Sequence, residues 1–353
     1  MKKFLFLMTM LASMSAFATE ATNVCWSHYT GWEPWAYAEK AGYIKEANEK
    51  FGVNIQLKLI NTYMASIEQY TLNPKPVKND PCTALTITNM DALTAPALAG
   101  VDTEVIIVGD FSNGNDAIIS HDPAITTPAD LKGKKIAGVQ FSVSHYLLSR
   151  ALKINKLTER DVKFVNTDEA EIPNYMRAGK TNTVKPLSVT WNPWKQTILN
   201  EGGKSIFDSS KIPGEIVDTL VVKTGTPVAV KKALTFAWYK TMKAMSSTPA
   251  GTNPAVKYMA EFAGGTLPDF LSQLKTTEMF YEPSKAVTFT NSKSLKNTMN
   301  YIRTFSHKVG IYQGKSADFV GIQFPDGTIE GDKSNVKLRF TSTYMQLASE
   351  GKL

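Results

Sequence analysis

The sequence predicts an α/β protein built as two lobes joined by two chain crossings. Three observations carry this expectation. Strand and helix signals alternate along the first two thirds of the chain, as in largely parallel sheets. The turn residues from Asp110 to Asp116 break that alternation. The pattern returns near Asp218, and 353 residues is a length suited to about two domains.

The elements follow in order. Residues 23–28 read as a first strand, followed by the loop Tyr29-Thr30-Gly31-Trp32-Glu33 and a helix opening at Pro34. Gly42 ends that helix, 53–59 alternates as a second strand, and 65–71 is helical. Residues 82–87 form a third strand, and Asn89-Met90-Asp91 starts another helix. The β-branched run 105–108 is a strand buried on both faces. After the break come strands over 117–120 and 136–139, and a helix capped by Ser144 with its apolar face over 146–152. A strand over 162–165, a helix over 169–178 and a strand over 188–191 complete the second unit. A strand over 219–222 leads to a tail dominated by helices, firmest over 230–245 and 268–279. The tail is expected to pack on the first lobe.

Composition narrows the function classes. With 43% apolar and 20% charged residues the chain is globular. Its formal charge of +7 falls by two without Lys2 and Lys3, and the remaining lysines are scattered. No basic stripe interleaved with aromatics marks a nucleic-acid surface. Lys2 and Lys3, the apolar stretch 4–14 and Ala16-Phe17-Ala18 follow the order of an export signal, with cleavage expected after Ala18. That stretch is too short to span a bilayer. The mature protein is expected in a periplasm, where disulfides persist. Cys25 and Cys82 each open a strand and are expected to be bridged; two separate buried thiols are the alternative.

In open α/β sheets ligands lie beyond the carboxyl ends of strands. The loops expected there carry Tyr29, Trp32, Glu33 and Trp35, then Asn89 and Asp91, then Asp110, Phe111 and Asn113. The second lobe adds Phe141, Ser142, Ser144, His145, Trp191, Asn192 and Trp194, and Asp218 lies at the return crossing. Aromatic faces with carboxylates suit a flat or cationic guest. Asp91 is either an ordinary first-turn helix carboxylate or one that repels anions from a site at a helix N-terminus. Each aromatic here is equally at home in a core.

Catalytic and metal signals are weak. His28, His121, His145 and His307 are widely spaced, with no His-x-x-x-His or Cys-x-x-Cys pattern. Phosphate-loop, dinucleotide and nucleophile-elbow motifs are missing from the sequence. No enzyme activity, metal or cofactor is expected.

The segment from Glu33 to Ala47 (EPWAYAEKAGYIKEA) resembles the opening of the nitrate/sulfonate/taurine family of periplasmic substrate-binding proteins of ABC importers. Asp130-Leu131-Lys132-Gly133-Lys134-Lys135-Ile136-Ala137 resembles that family's entry into its second lobe. Residues 147–161 and Trp191-Asn192-Pro193-Trp194 resemble its later helix and its hinge-side segment. The resemblance spans roughly residues 23–220 and is nearer to the branch from urea-carboxylase gene regions, described as urea binding.

The resemblance implies a type II periplasmic-binding fold and delivery of a ligand to a membrane permease with a cytoplasmic ATPase. It places the site at Trp32, Glu33, Trp35, Asn89, Asp91, Ser142 to His145, Trp191 and Asn192. Phe141-Ser142-Val143-Ser144 replaces the family's frequent Gly-Ser pair, and Asn89-Met90-Asp91 a small or hydroxyl residue. Both changes speak against an anionic ligand. The expected guest is guanidinium or a substituted guanidine, then urea; an alkylsulfonate or a thiamine-pyrimidine precursor is the rival, and an enzyme on the same fold the rival of another class. The expected division is 1–18 signal, 19–111 first lobe, 112–218 second lobe and 219–353 return and C-terminal helices, in a monomer.

Overall fold

Strands whose residues are buried along their whole length take the middle of the larger sheet in the computed structural model, which describes residues 20–353. The expected export signal lies outside the described residues. The first lobe begins with β1 (Ala21–Trp26), β2 (Asn54–Leu59), β3 (Ala84–Thr88) and β4 (Thr103–Ser112). The second holds β5 (Ala117–Ser120), β6 (Lys135–Gly138), β7 (Lys163–Asn166), β8 (Leu187–Thr190) and β9 (Lys204–Asp208). The chain then returns through β10 (Val217–Lys223), followed by β11 (Thr277–Met279), β12 (Gly321–Gln323), β13 (Ile329–Glu330) and β14 (Val336–Phe340).

The larger sheet has the order β13-β12-β14-β4-β10-β3-β1-β2, with β11 paired to β4; the smaller is β7-β6-β8-β5-β9. Strands joined by helical crossovers run parallel, as β1 does with β2 and β3, and β6 with β7 and β8. The strands that follow the two crossings run against their neighbours: β10 against β3 and β4, β5 against β8 and β9. A strand entering from the other lobe has no crossover helix to turn it parallel.

The two crossings are tied side by side. The hydroxyls of Ser112 and Ser209 lie 2.6 Å apart, and the Gly114 N–H donates to Ser209 at 2.7 Å. Ser112, Val217 and Asp218 belong to first-lobe strands. The second lobe is therefore shorter at both ends than the 112–218 expected. The break expected to begin at Asp110 also starts later, because β4 continues to Ser112 under pairing from β10 and β11.

The tail differs from the helical stretch expected. The 268–279 segment ends its helix at Leu274 and adds β11, and β14 extends the sheet beyond β4. These strands are short and polar at alternate positions, so periodicity over a few residues did not separate them from loops. The helix Val228–Met245 packs on the first lobe's helices. Among the described residues no helix is long and apolar enough to cross a membrane. Cys25 and Cys82 form a disulfide with Cα atoms 5.6 Å apart.

Candidate functional site

The ends of β1, β3, β6 and β8 open toward one gap between the lobes, where the backbone changes from strand to turn or helix. After β1 the chain makes a tight turn, with the Trp32 and Glu33 N–H groups both donating to the Tyr29 carbonyl. After β3, Thr88 caps the helix Asn89–Leu98 by accepting from Asp91 N–H. After β6, Ser142 caps the helix Val143–Ile154 and donates to the Val139 carbonyl at 2.8 Å. After β8 comes Trp191, then a cis Asn192–Pro193 bond.

Tyr29, Trp32, Tyr63, Thr88, Asp116, Val143, Trp191, Ile216 and Asp218 enclose a cavity of about 20 Å³ in this gap. The aromatic rings form a chain across it. Tyr29 lies 5.0 Å from Trp32, Trp32 5.4 Å from Tyr63, and Tyr63 meets Trp191 edge-on at 6.0 Å. The last contact joins the lobes. A second tie is the Tyr63 N–H, which donates to Glu169 of the second lobe at 2.7 Å.

Carboxylates gather behind and within this wall. Asp110 and Asp218 are partners in the register of β4 and β10, and Tyr29 donates to Asp110 Oδ1 at 3.3 Å. Gly31 makes room for the pair: a Cβ there would stand 2.3 Å from Asp110 Oδ2. Asp91 Oδ2 accepts from Tyr63 at 2.7 Å and from Thr88 at 2.8 Å, so this carboxylate sits one layer behind the cavity. Asp110, Asp116 and Asp218 each keep one buried side-chain oxygen without a partner.

Burial raises the proton affinity of all four aspartates. It pushes Asp91 up to about 6, against the Tyr63 and Thr88 hydrogen bonds that favour its charge. Asp116 is likewise pushed up to about 6, against help from Ser112 and Lys195. Asp110 and Asp218 both move upward, first from burial; the neighbouring carboxylates raise Asp218 further. Among the described residues none of the four forms an ion pair, and no Lys or Arg lines the cavity. Lys195, near Asp116, directs its ammonium to the Gly114 carbonyl.

The residues expected here divide clearly. Tyr29, Trp32, Trp191 and Asp218 line the gap, and Asp91 and Asp110 stand directly behind it. Trp35 is one layer deeper, packed on Trp238 at 5.2 Å, where both line a smaller void with Asp110 and Asp218. Ser142 is a helix cap, and Ser144 is buried with an unpartnered hydroxyl. Asn192 is buried beside Trp191, its N–H bonded to Asn115 Oδ1 at 3.0 Å.

Four residues turn elsewhere. Glu33 follows Trp32 by about a third of a helical turn and binds His28 at 2.7 Å instead. Phe111 follows Asp110 along a strand, so it emerges on the opposite face and stacks on Phe289. His145 points to Glu159 at 3.3 Å, between Phe164 and Phe305. Asn89 holds the return crossing, donating to the Glu215 carbonyl and accepting from Val217 N–H. Sequence reasoning missed Tyr63, Thr88 and Asp116 as wall residues. Tyr63 begins a helix after β2, so the strand-end rule that found Trp32 also pointed to it.

Residues 82–206 match the family model described as NMT1/THI5 like. That segment includes Asp91, Asp110, Asp116 and Trp191, but neither Trp32 nor Asp218. No curated protein matches the chain. Among solved structures, the alkanesulfonate-binding protein SsuA of Xanthomonas axonopodis pv. citri, bound to MOPS, is similar at 15% identity. That match has a TM-score of 0.66 and covers 84% of this chain and 95% of that one.

The periplasmic aliphatic sulphonate binding protein SsuA of Escherichia coli gives 16% identity, TM-score 0.62, and coverage of 82% and 87%. A Candida albicans protein described as having the generic periplasmic binding protein fold gives 14%, 0.59, and coverage of 80% and 90%. The fold is that of the periplasmic binding proteins. In it, Trp32, Asp218 and Trp191 line one gap between the lobes, at the strand ends where the sequence led us to expect a site.

Proposed function

We propose that the chain is the periplasmic substrate-binding component of an ABC importer. Its guest is a small planar nitrogen compound: the guanidinium cation or a substituted guanidine first, neutral urea second. The supporting observation is the cluster of Asp91, Asp110, Asp116 and Asp218, buried beside four aromatic rings with no ion-pair partner among the described residues. A cation placed there is met by ring faces and by carboxylate oxygens that lack donors. The site carries out no chemistry on its guest. Lobe closure brings Trp191 and Glu169 onto Tyr63, which screens the guest from water and presents both lobes together to a permease.

An alkanesulfonate is the second reading. The helix Val143–Ile154 opens at the cleft with no acidic residue in its first turn, and Val143 lines the cavity. Such an N-terminus favours an anion. The four aspartates oppose it. A thermal-shift series with guanidinium, urea and taurine separates the two, because a guest that binds only the folded state raises the melting temperature. A rise with guanidinium and none with taurine supports the cationic reading; the reverse rejects it.

A further inference from the structure

This inference rests on the cationic reading of the cleft and concerns how the site distinguishes a charged guest from a neutral one. Asp110 and Asp218 are partners across antiparallel strands, both buried, line one small void together, and each keeps a side-chain oxygen without a hydrogen-bond partner. Two neighbouring carboxylates have no proton to place between them, whereas a carboxylic acid beside a carboxylate has one. Like charges directly opposed on a ladder are unfavourable, and burial strengthens the penalty.

The groups facing the pair do not relieve that penalty. Tyr29, from the turn after β1, donates to Asp110. Asp116, at the end of the first crossing, adds negative charge to the pair, and Asp91, behind Tyr63, adds it to Asp116. Tyr281, just past β11, is near enough to feel Asp110. Lys195 acts on Asp116 and is bonded to Gly114.

We propose that Asp110 and Asp218 share one proton in the free protein and release it when a permanently charged planar cation enters, so that the pair selects guests by charge. The exchange balances. The O–H bond of the shared proton breaks, the proton passes to water or a buffer base, and the charge of the guest takes its place. The pair with its occupant carries one net negative charge before and after. A neutral guest such as urea brings no charge to replace the proton and leaves it in position. Burial, the largest influence on both groups, keeps the proton bound in the free protein.

Infrared spectroscopy combined with calorimetry tests this on the mature protein. At pH 7.5 the free protein is expected to show a carboxylic-acid carbonyl band that is absent in Asp218→Asn and disappears with saturating guanidinium. Titrations in phosphate and in Tris are expected to differ by the release of about one proton per guanidinium. The affinity then rises by up to about tenfold per pH unit while the proton remains bound. Urea is expected to release none. A free protein without the acid band, or a band that survives guanidinium binding, overturns the shared-proton exchange. Guanidinium that gives neither heat nor melting shift while the acid band is present rejects the cationic guest, and the exchange with it, but leaves the carboxyl pair as observed.

Discussion

The side chain of Glu169, in the second lobe, accepts the backbone N–H of Tyr63, in the first turn of a first-lobe helix, at 2.7 Å. The bond satisfies a helix N-terminal donor that has no partner within its own helix. It joins the lobes at the aromatic wall of the cleft. Glu169→Ala is expected to loosen the closed form and to weaken guest binding by about tenfold, the lower end of the scale of one charge-assisted hydrogen bond. Small-angle scattering of the guest-free variant is expected to show a larger radius. An unchanged radius and affinity would show that this contact does not hold the lobes together.

Asp91 sits behind Tyr63 and Thr88, so in the proposed site it would act on a guest by charge rather than by contact. Asp91→Asn keeps an acceptor for Tyr63 and removes the charge. Guanidinium affinity is expected to fall by about tenfold, while urea stays within about twofold. Calorimetry on both ligands checks this. Equal losses for the two would assign Asp91 a packing role.

Gly31 lies over the carboxyl pair, and a methyl group there would stand 2.3 Å from Asp110 Oδ2 and 2.6 Å from the Tyr29 ring. Gly31→Ala is therefore expected to destabilise the fold by about 1–3 kcal/mol, the cost of forcing extra volume into a packed site. Denaturant unfolding measures it. Wild-type stability in the variant would mean that the carboxyl pair moves freely.

The pH dependence of stability follows from the same burial. Asp91 and Asp116 hold their protons up to about pH 6 in the fold, against 3.8 for an ordinary aspartate. Between those values the folded chain binds more protons than the unfolded one, so stability rises as pH falls. His28, raised by its hydrogen bond to Glu33, contributes stability at low pH that is lost as pH climbs through its folded value. The melting temperature of the guest-free protein is expected to be higher at pH 5.5 than at pH 7.5. A lower value at pH 5.5 would contradict the burial of these charges.

Much of the fold was legible because alternation and β-branched runs reveal buried strands locally. β1, β3 and the helix after Thr88 lie within two residues of where the sequence placed them. The site was legible only to the level of loops. Asp110 and Phe111 are neighbours in sequence, yet pairing with β10 sends one to the cleft and the other to Phe289. Glu33 appeared equivalent to Trp32 until the turn rotated it onto His28. Asp116 was missed for the same reason: its role depends on which element packs opposite, and no short window of sequence carries that. The tail strands β11 and β14 likewise take their identity from β4, far away in the chain.

The most direct measurement is a calorimetric titration of guanidinium, with taurine as the paired anion, into the mature protein at pH 7.5. If indoles, phenols and unpaired aspartates together form a receptor for a planar cation, guanidinium binds one-to-one and taurine produces no binding heat. Saturable taurine binding with no response to guanidinium would contradict the account at its centre.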